Sequence, residues 1–129
     1  MLILTVDDSD IILDILEDAL LEAGHRTARA GDGVEAIEWL GHHRADVITT
    51  DRNMPRMDGF SLLETLANRH DLGEPPIIVI SSLNDTASLD QAMAAGATDW
   101  FVKPFDPQKL IERIATLATE VPIASGPLS

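Results

Sequence analysis

A chain of 129 residues, 45% hydrophobic and 24% charged, holds one domain's worth of sequence with enough apolar material for a core, which sets aside the disordered and fibrous classes. The absence of cysteine removes disulfides, thiolate metal sites and cysteine nucleophiles together, and no apolar run approaches the roughly 18 residues of a membrane span. The net charge of −13, from 22 acids against nine bases, repels phosphate backbones and anionic lipid, so neither direct nucleic-acid binding nor membrane insertion is expected, and a start of MLILTVDD without leader chemistry gives cytoplasmic as the expected location.

Leu2–Val6 is an almost unbroken apolar run, the pattern of a strand buried on both faces, and it stops at Asp7 and Asp8. Ser9 then caps a helix in which Ile11, Ile12, Ile15, Leu16, Ala19, Leu20 and Ala23 form one apolar stripe, with Asp14, Glu17, Asp18 and Glu22 opposite and Gly24 at its end. Arg26–Ala30 is a short, partly polar strand suited to a sheet edge. Asp32 with Glu35 makes a capping box for a second helix whose inward residues are Val34, Ile37 and Leu40. The β-branched run Val47, Ile48, Thr49, Thr50 is a strand that ends at Asp51, and a loop with Pro55 and Gly59 follows. Asp58 caps a third helix carrying Phe60, Leu63, Leu66 and Ala67.

Pro75 and Pro76 lead into an apolar strand at 77–80 that ends at Ser81 and Ser82. A helix from about Asp85 turns Leu89, Ala92 and Met93 inward and closes at Gly96. Asp99–Val102 is the last strand; it delivers Lys103, and Pro104 blocks its continuation. Asp106 and Pro107 read as N-cap and first position of a final helix with Leu110, Ile111, Ile114 and Leu117 inside. Five strands alternating with five helices imply an α/β fold, a doubly wound parallel sheet covered on both faces. The domain is expected to span residues 1–119, and the Pro, Gly and Ser rich stretch 120–129 to be a flexible tail or linker stub.

A parallel sheet puts the carboxyl ends of all its strands on one edge, which gathers Asp7, Asp8, Asp51, Ser81 and Lys103. Each has an ordinary alternative use: a strand-ending Asp forms turns, an acid pair caps a helix, a serine ends a strand, a lysine is usually solvated. The combination is what carries chemistry. Carboxylates sharing a site raise one another's pKa unless a cation offsets them, and a hard divalent ion such as Mg²⁺ takes one or two carboxylates and keeps room for a phosphoryl group. In that setting Asp51 is an anionic nucleophile, Lys103 neutralises phosphoryl oxygens, and the Ser81 hydroxyl binds one afterwards. Arg52 and Arg56 flank the acid as solvated cations that could guide a partner. His25, His42, His43 and His70 fall near turns and read as surface residues, neither metal ligands nor phosphodonors.

With the acid pair Asp7-Asp8, the segment TTDRNMPRMDG, the strand end IIVISS and the segment WFVKPF, the chain resembles the receiver domain of two-component response regulators, of the single-domain, chemotaxis-regulator-like kind, over residues 2 to about 117. The resemblance implies a flavodoxin-like five-stranded sheet in the order 2-1-3-4-5. It implies that Asp51 accepts a phosphoryl group from the phosphohistidine of a histidine kinase or phosphotransfer protein. It further implies Mg²⁺ held by Asp8 and Asp51 side chains, by the Asn53 backbone carbonyl and, largely through water, by Asp7. The switch positions are Ser81, which stands where threonine is commonest, and Trp100, which replaces the usual Tyr or Phe. The Lys103 to Pro104 bond is commonly cis in the family.

Such a protein is no enzyme in the ordinary sense: it promotes only its own phosphorylation and dephosphorylation, signals to a downstream protein target through the face of its fourth helix, fifth strand and fifth helix, and is a monomer or weak dimer. Asn53 and Leu83 would flank the water that hydrolyses the acyl phosphate, and because Leu83 cannot hydrogen-bond it, a long-lived phosphoprotein is expected. Two rivals remain. A non-phosphorylated, receiver-like interaction module would keep the fold and bind by shape. A haloacid-dehalogenase-like phosphatase would use Asp8 and Asp10 as paired acids, but leaves Asp51 without a role.

Overall fold

The computed structural model describes residues 1–52, 54, 56–82 and 86–120, apart from the side chains of 86–88 and 118–120. Its elements alternate throughout: β1 (Leu2–Val6), α1 (Asp10–Glu22), β2 (Arg26–Ala30), α2 (Gly33–Leu40), β3 (Val47–Asp51), α3 (Gly59–Asn68), a 3-10 turn at His70–Leu72, β4 (Ile77–Ser81), α4 (Thr86–Ala94), β5 (Asp99–Val102) and α5 (Pro107–Glu120). All neighbouring strands pair in parallel, in the order β2-β1-β3-β4-β5. Of the three interior strands, β3 and β4 are buried along their whole length, as their uninterrupted apolar and β-branched runs require. Polar β2 takes an edge.

Local chemistry starts the helices where expected. Ser9 Oγ accepts from the Ile12 N–H, Asp32 from Glu35 and Asp58 from Ser61, each satisfying a first-turn donor. The return arm of the capping box is displaced by one residue, since Glu35 Oε1 accepts from the N–H of Gly31 and not of Asp32. Gly24, with φ +91°, turns the chain out of α1 in a conformation that side chains resist.

Side chains alternate across the strands and build two cores. On one face Ile3, Val47, Ile78 and Ile80 pack under Leu16 and Leu20 of α1 and Leu110, Ile114 and Leu117 of α5. On the other, Leu4, Ile48 and Val79 pack under Ala36 and Leu40 of α2, Leu62, Leu63 and Leu66 of α3, and Ala92 of α4. Trp100 joins the second core and Phe101 the first, so the neighbours on β5 point to opposite faces.

The facing of several helices departs from the sequence pattern. In α1 the buried seam is Leu13, Leu16 and Leu20, while Ile11 and Ile15 are 72% and 43% exposed. Apolar residues cover more than half of this helix's circumference, so periodicity defines no unique stripe. The seam is chosen by the fit against β1, β2 and α5. In α2 the fully buried side chains are Ala36 and Leu40, with Val34 and Ile37 only partly covered; in α3, Leu62 joins Leu63 and Leu66 while Ala67 is exposed. In α4, Ala92 alone of the expected three is buried, and Leu89 and Met93 are 38% and 45% exposed. His25 is half-buried, its Nδ1 3.3 Å from the amino terminus, whereas the other three histidines lie on the surface.

These facings separate two substitutions one residue apart. Leu16→Ala, which empties a buried site, is expected to cost about 2–5 kcal/mol of unfolding free energy. Ile15→Ala is expected to cost less than about 1 kcal/mol, both read by urea denaturation.

Candidate functional site

The strand order reverses at β1, which has β2 on one side and β3 on the other. In a parallel sheet that reversal opens a crevice beyond the strands' carboxyl ends. Asp51 closes β3 at the crevice, and Asp7 and Asp8 follow β1 into it. One carboxylate oxygen from each of Asp7, Asp8 and Asp51 lies within 4.8 Å of the others. Asp7 is 2% and Asp51 8% exposed, while Asp8 is open to solvent. Lys103 Nζ reaches into the group from the far end of the chain, 3.0 Å from Asp7 Oδ2 and 3.4 Å from Asp51 Oδ1.

Backbone bonds fix the orientation of these groups. Asp7 Oδ1 accepts from the Ser9 N–H at 2.9 Å and Asp51 Oδ1 from the Arg52 N–H at 2.9 Å. Lys103 N–H donates to the Ser81 carbonyl at 2.8 Å, extending the β4–β5 ladder past the strand end, and the Lys103–Pro104 peptide is cis. Gly59 opens α3 with its N–H on the Arg52 carbonyl at 2.8 Å. A Cβ at this position would collide with the Asp51 carbonyl, so only glycine lets the helix begin so close to the strand.

Electrostatics mark the cluster as costly. Burial, and after it the neighbouring Asp7 charge, push the Asp51 carboxyl above its ordinary range; Lys103 and the Arg52 amide pull the other way and do not cancel this. For Lys103, burial works against the charge, but the Asp7 hydrogen bond and the Asp51 charge outweigh it and raise the pKa, so the ammonium is held firmly. The donor set is all oxygen, three carboxylates strong, and partly open on the Asp8 side. These are the demands of a hard divalent cation, so the residues fit the Mg²⁺ that the family resemblance implies.

Of the other expected site residues, Ser81 is fully buried at the end of β4, and Ser82 beside it is exposed. In register, Ile80 stands opposite Asp51 and Val102 opposite Ser81, so Ser81 sits one step beyond the acid's level. Trp100 is partly buried, its ring 6.4 Å from that of Phe60. Asn53 and Leu83 lie outside the described residues, and with them the expected carbonyl ligand and the expected control of lifetime.

The sequence reading missed what the two arginines do. Arg52 stacks its guanidinium 4.6 Å above the Phe60 ring. Arg56 grips the Asp32 carboxylate, Nε to Oδ2 at 2.7 Å and Nη2 to Oδ1 at 3.1 Å. No local signal announces either contact, since both partners come from other elements.

A carboxyl whose folded pKa lies above its unfolded one leaves the native state holding more protons between the two values, so its contribution to stability falls as pH rises through that window. Asp51→Asn is therefore expected to raise the Tm near neutral pH, and the gain is expected to vanish as pH falls below the ordinary carboxyl value of 3.8. Calorimetry of both proteins across that range checks it.

Comparison with known proteins agrees with this geometry. Residues 3–115 match the family model described as the response regulator receiver domain. The chain is 36% identical over 125 residues to the probable transcriptional regulator ycf27 of Cyanophora paradoxa, covering 95% of this chain and 51% of that protein. It is 34% identical over 117 residues to the response regulator MprA of Mycobacterium leprae, covering 91% and 50%; the chain thus spans about half the length of these curated relatives. Among solved structures, chemotaxis protein CheY4 of Vibrio cholerae superposes with a TM-score of 0.84 at 33% identity over 90% of this chain and 97% of that one. The receiver domain of the Francisella response regulator 1452 superposes at 0.86 and 32%, covering 92% and 97%. Among the described residues no helix is long and apolar enough to cross a membrane. The chain belongs to the response regulator receiver domains of two-component systems, a signalling family and not an enzyme family.

Proposed function

We propose that this domain accepts a phosphoryl group on Asp51 from the phosphohistidine of a histidine kinase or phosphotransfer protein, and answers by altering a surface that a downstream protein reads. The observation that carries the reading is the meeting of three carboxylates within 4.8 Å, with the Lys103 ammonium 3.0 Å from Asp7 and 3.4 Å from Asp51, at the sheet's switch point. A Mg²⁺ ion held by Asp7, Asp8 and Asp51, together with the Asn53 carbonyl, would supply the positive charge that lets a phosphoryl group approach these acids. An Asp51 oxygen then bonds to phosphorus as the phosphorus–nitrogen bond to the imidazole breaks, and the imidazole keeps the electron pair. Lys103 would neutralise the phosphoryl oxygens as their charge spreads. The Ser81 hydroxyl is the candidate to bind the new group afterwards.

The protein consumes one phosphoryl group per acceptor and returns it to water, which makes it a timed switch. One turn of α1 beyond Asp8 leaves Ile11 exposed, with Ile15 a further turn on, an apolar rim on which a donor protein can seat. The outgoing surface is best placed at α4, β5 and α5. There Leu89 and Met93 stay uncovered on α4, and Trp100 of β5 packs in the same core as Ala92 of that helix. Phosphorylation adds about two negative charges, enough to bias a two-state segment there.

The test is incubation with acetyl phosphate or phosphoramidate, followed by intact-mass analysis. The native protein is expected to gain a single phosphoryl group only when Mg²⁺ is present, and Asp51→Asn to gain none. Lys103→Met is expected to label about a hundredfold more slowly, the loss usual for one preorganised charge donor. Mg²⁺-independent or absent labelling would make the domain a shape-reading interaction module, and steady turnover of a phosphate ester would make it a phosphatase.

A further inference from the structure

The loop that leaves Asp51 is closed at its neck by the Gly59 N–H on the Arg52 carbonyl at 2.8 Å. Its far side is held elsewhere. Arg56 lies in the left-handed region with φ +62°, a conformation that a long side chain does not choose by itself. From that position its guanidinium closes a two-toothed fork on Asp32, Nε to Oδ2 at 2.7 Å and Nη2 to Oδ1 at 3.1 Å, with Glu35 Oε2 3.8 Å away. Asp32 is buried and is also the N-cap of α2, its Oδ1 accepting from the Glu35 N–H. The next residue adds a second tie: the Gly33 N–H donates to the Met57 carbonyl at 3.2 Å, and a Cβ on Gly33 would collide with the Met57 side chain.

We infer that Arg56 is a positioning residue, a latch whose fork on Asp32 pins the loop after Asp51, at Arg56 and Met57, to the first turn of α2 and thereby steadies the chain that connects Asp51 to α3. The inference deepens the phosphoacceptor reading and rests on it for the consequence at the metal. A fork-shaped guanidinium suits the task because it fixes direction as well as distance, which a lysine ammonium does not. The left-handed backbone at Arg56 is what points the fork at α2, so the strain and the ion pair belong to one device. Part of the fork faces solvent, so its contribution is moderate and best read at the loop itself.

Three variants test it: Arg56→Gly, which adopts the same backbone freely and lacks the fork; Arg56→Lys, which keeps the charge alone; and Asp32→Asn, which keeps the N-cap oxygen. Amide hydrogen exchange of residues 52–58 in the absence of Mg²⁺ reads the latch, and calorimetric titration with Mg²⁺ reads its effect on the acid cluster. For Arg56→Gly and Asp32→Asn, exchange in that segment is expected to rise by about threefold or more with α5 unchanged, and the Mg²⁺ dissociation constant to rise by about threefold; the double variant is expected to be no worse than the worse single one. Arg56→Lys is expected to fall between native and Arg56→Gly. Unchanged exchange in 52–58 overturns the latch, and so does a lowered Tm with an unaltered Mg²⁺ constant, which would reduce the pair to a structural tie. A native protein that takes up no Mg²⁺ would sink the phosphoacceptor reading, and the exchange measurement would still decide the latch.

Discussion

Two carboxylates that share a pocket and are nearly sealed from water repel each other, and this protein tolerates the repulsion because one ammonium closes on both. Asp7 and Asp51 each stand within 3.4 Å of Lys103 Nζ, and the sequence's one other lysine, Lys109, lies on α5. The arrangement remains unfavourable for Asp51, whose burial outweighs the help it receives. Under the proposed reading, a divalent cation held by these acids would offset that cost. The rest of the architecture can be seen as the means of holding those three groups at that separation.

The parallel sheet supplies the coarse placement. Lys103 is 96 positions from Asp7 in the chain, yet they meet because β1 and β5 run the same way and end on the same edge. The fine placement comes from below. Trp100 and Phe101 anchor β5 in the two cores, and the Lys103 N–H is tied to Ser81. On the other side of the pocket the tight start of α3 at Gly59 leaves β3 no slack, since the Asp51 carbonyl already fills the space a side chain would need.

The sequence made the strands and caps legible because their signals are local. An apolar or β-branched run bounded by Asp, Ser or Pro shows where a strand starts and stops, and Ser9, Asp32 and Asp58 cap with bonds that reach only three residues. The acid cluster and its lysine were legible one step further, because a parallel sheet turns strand-ending residues into neighbours. Helix facing was not. In α1 and α4 apolar residues occur on more sides than can be buried, and the choice of Leu13 over Ile11, or Ala92 over Met93, is made by the partner surface. The short turn His70–Leu72 carries no punctuation of its own beyond the following Gly73. The grip of Arg56 on Asp32 joins a loop to a helix 24 residues away and has no sequence period to betray it.

Alternation along β3, β4 and β5 assigns the site residues to different sides of the sheet. Asp51 and Lys103 share a parity with Val47, Ile80 and Phe101 and so face the layer of α1 and α5, whereas Ser81 and Trp100 share one with Val79 and face the layer of α3 and α4. Between the two layers lies the sheet itself, with a packed core on each of its faces. Under the proposed phosphoacceptor reading, Ser81, buried at a strand tip one register step beyond Asp51, is the group through which a change at the acid would reach the far layer.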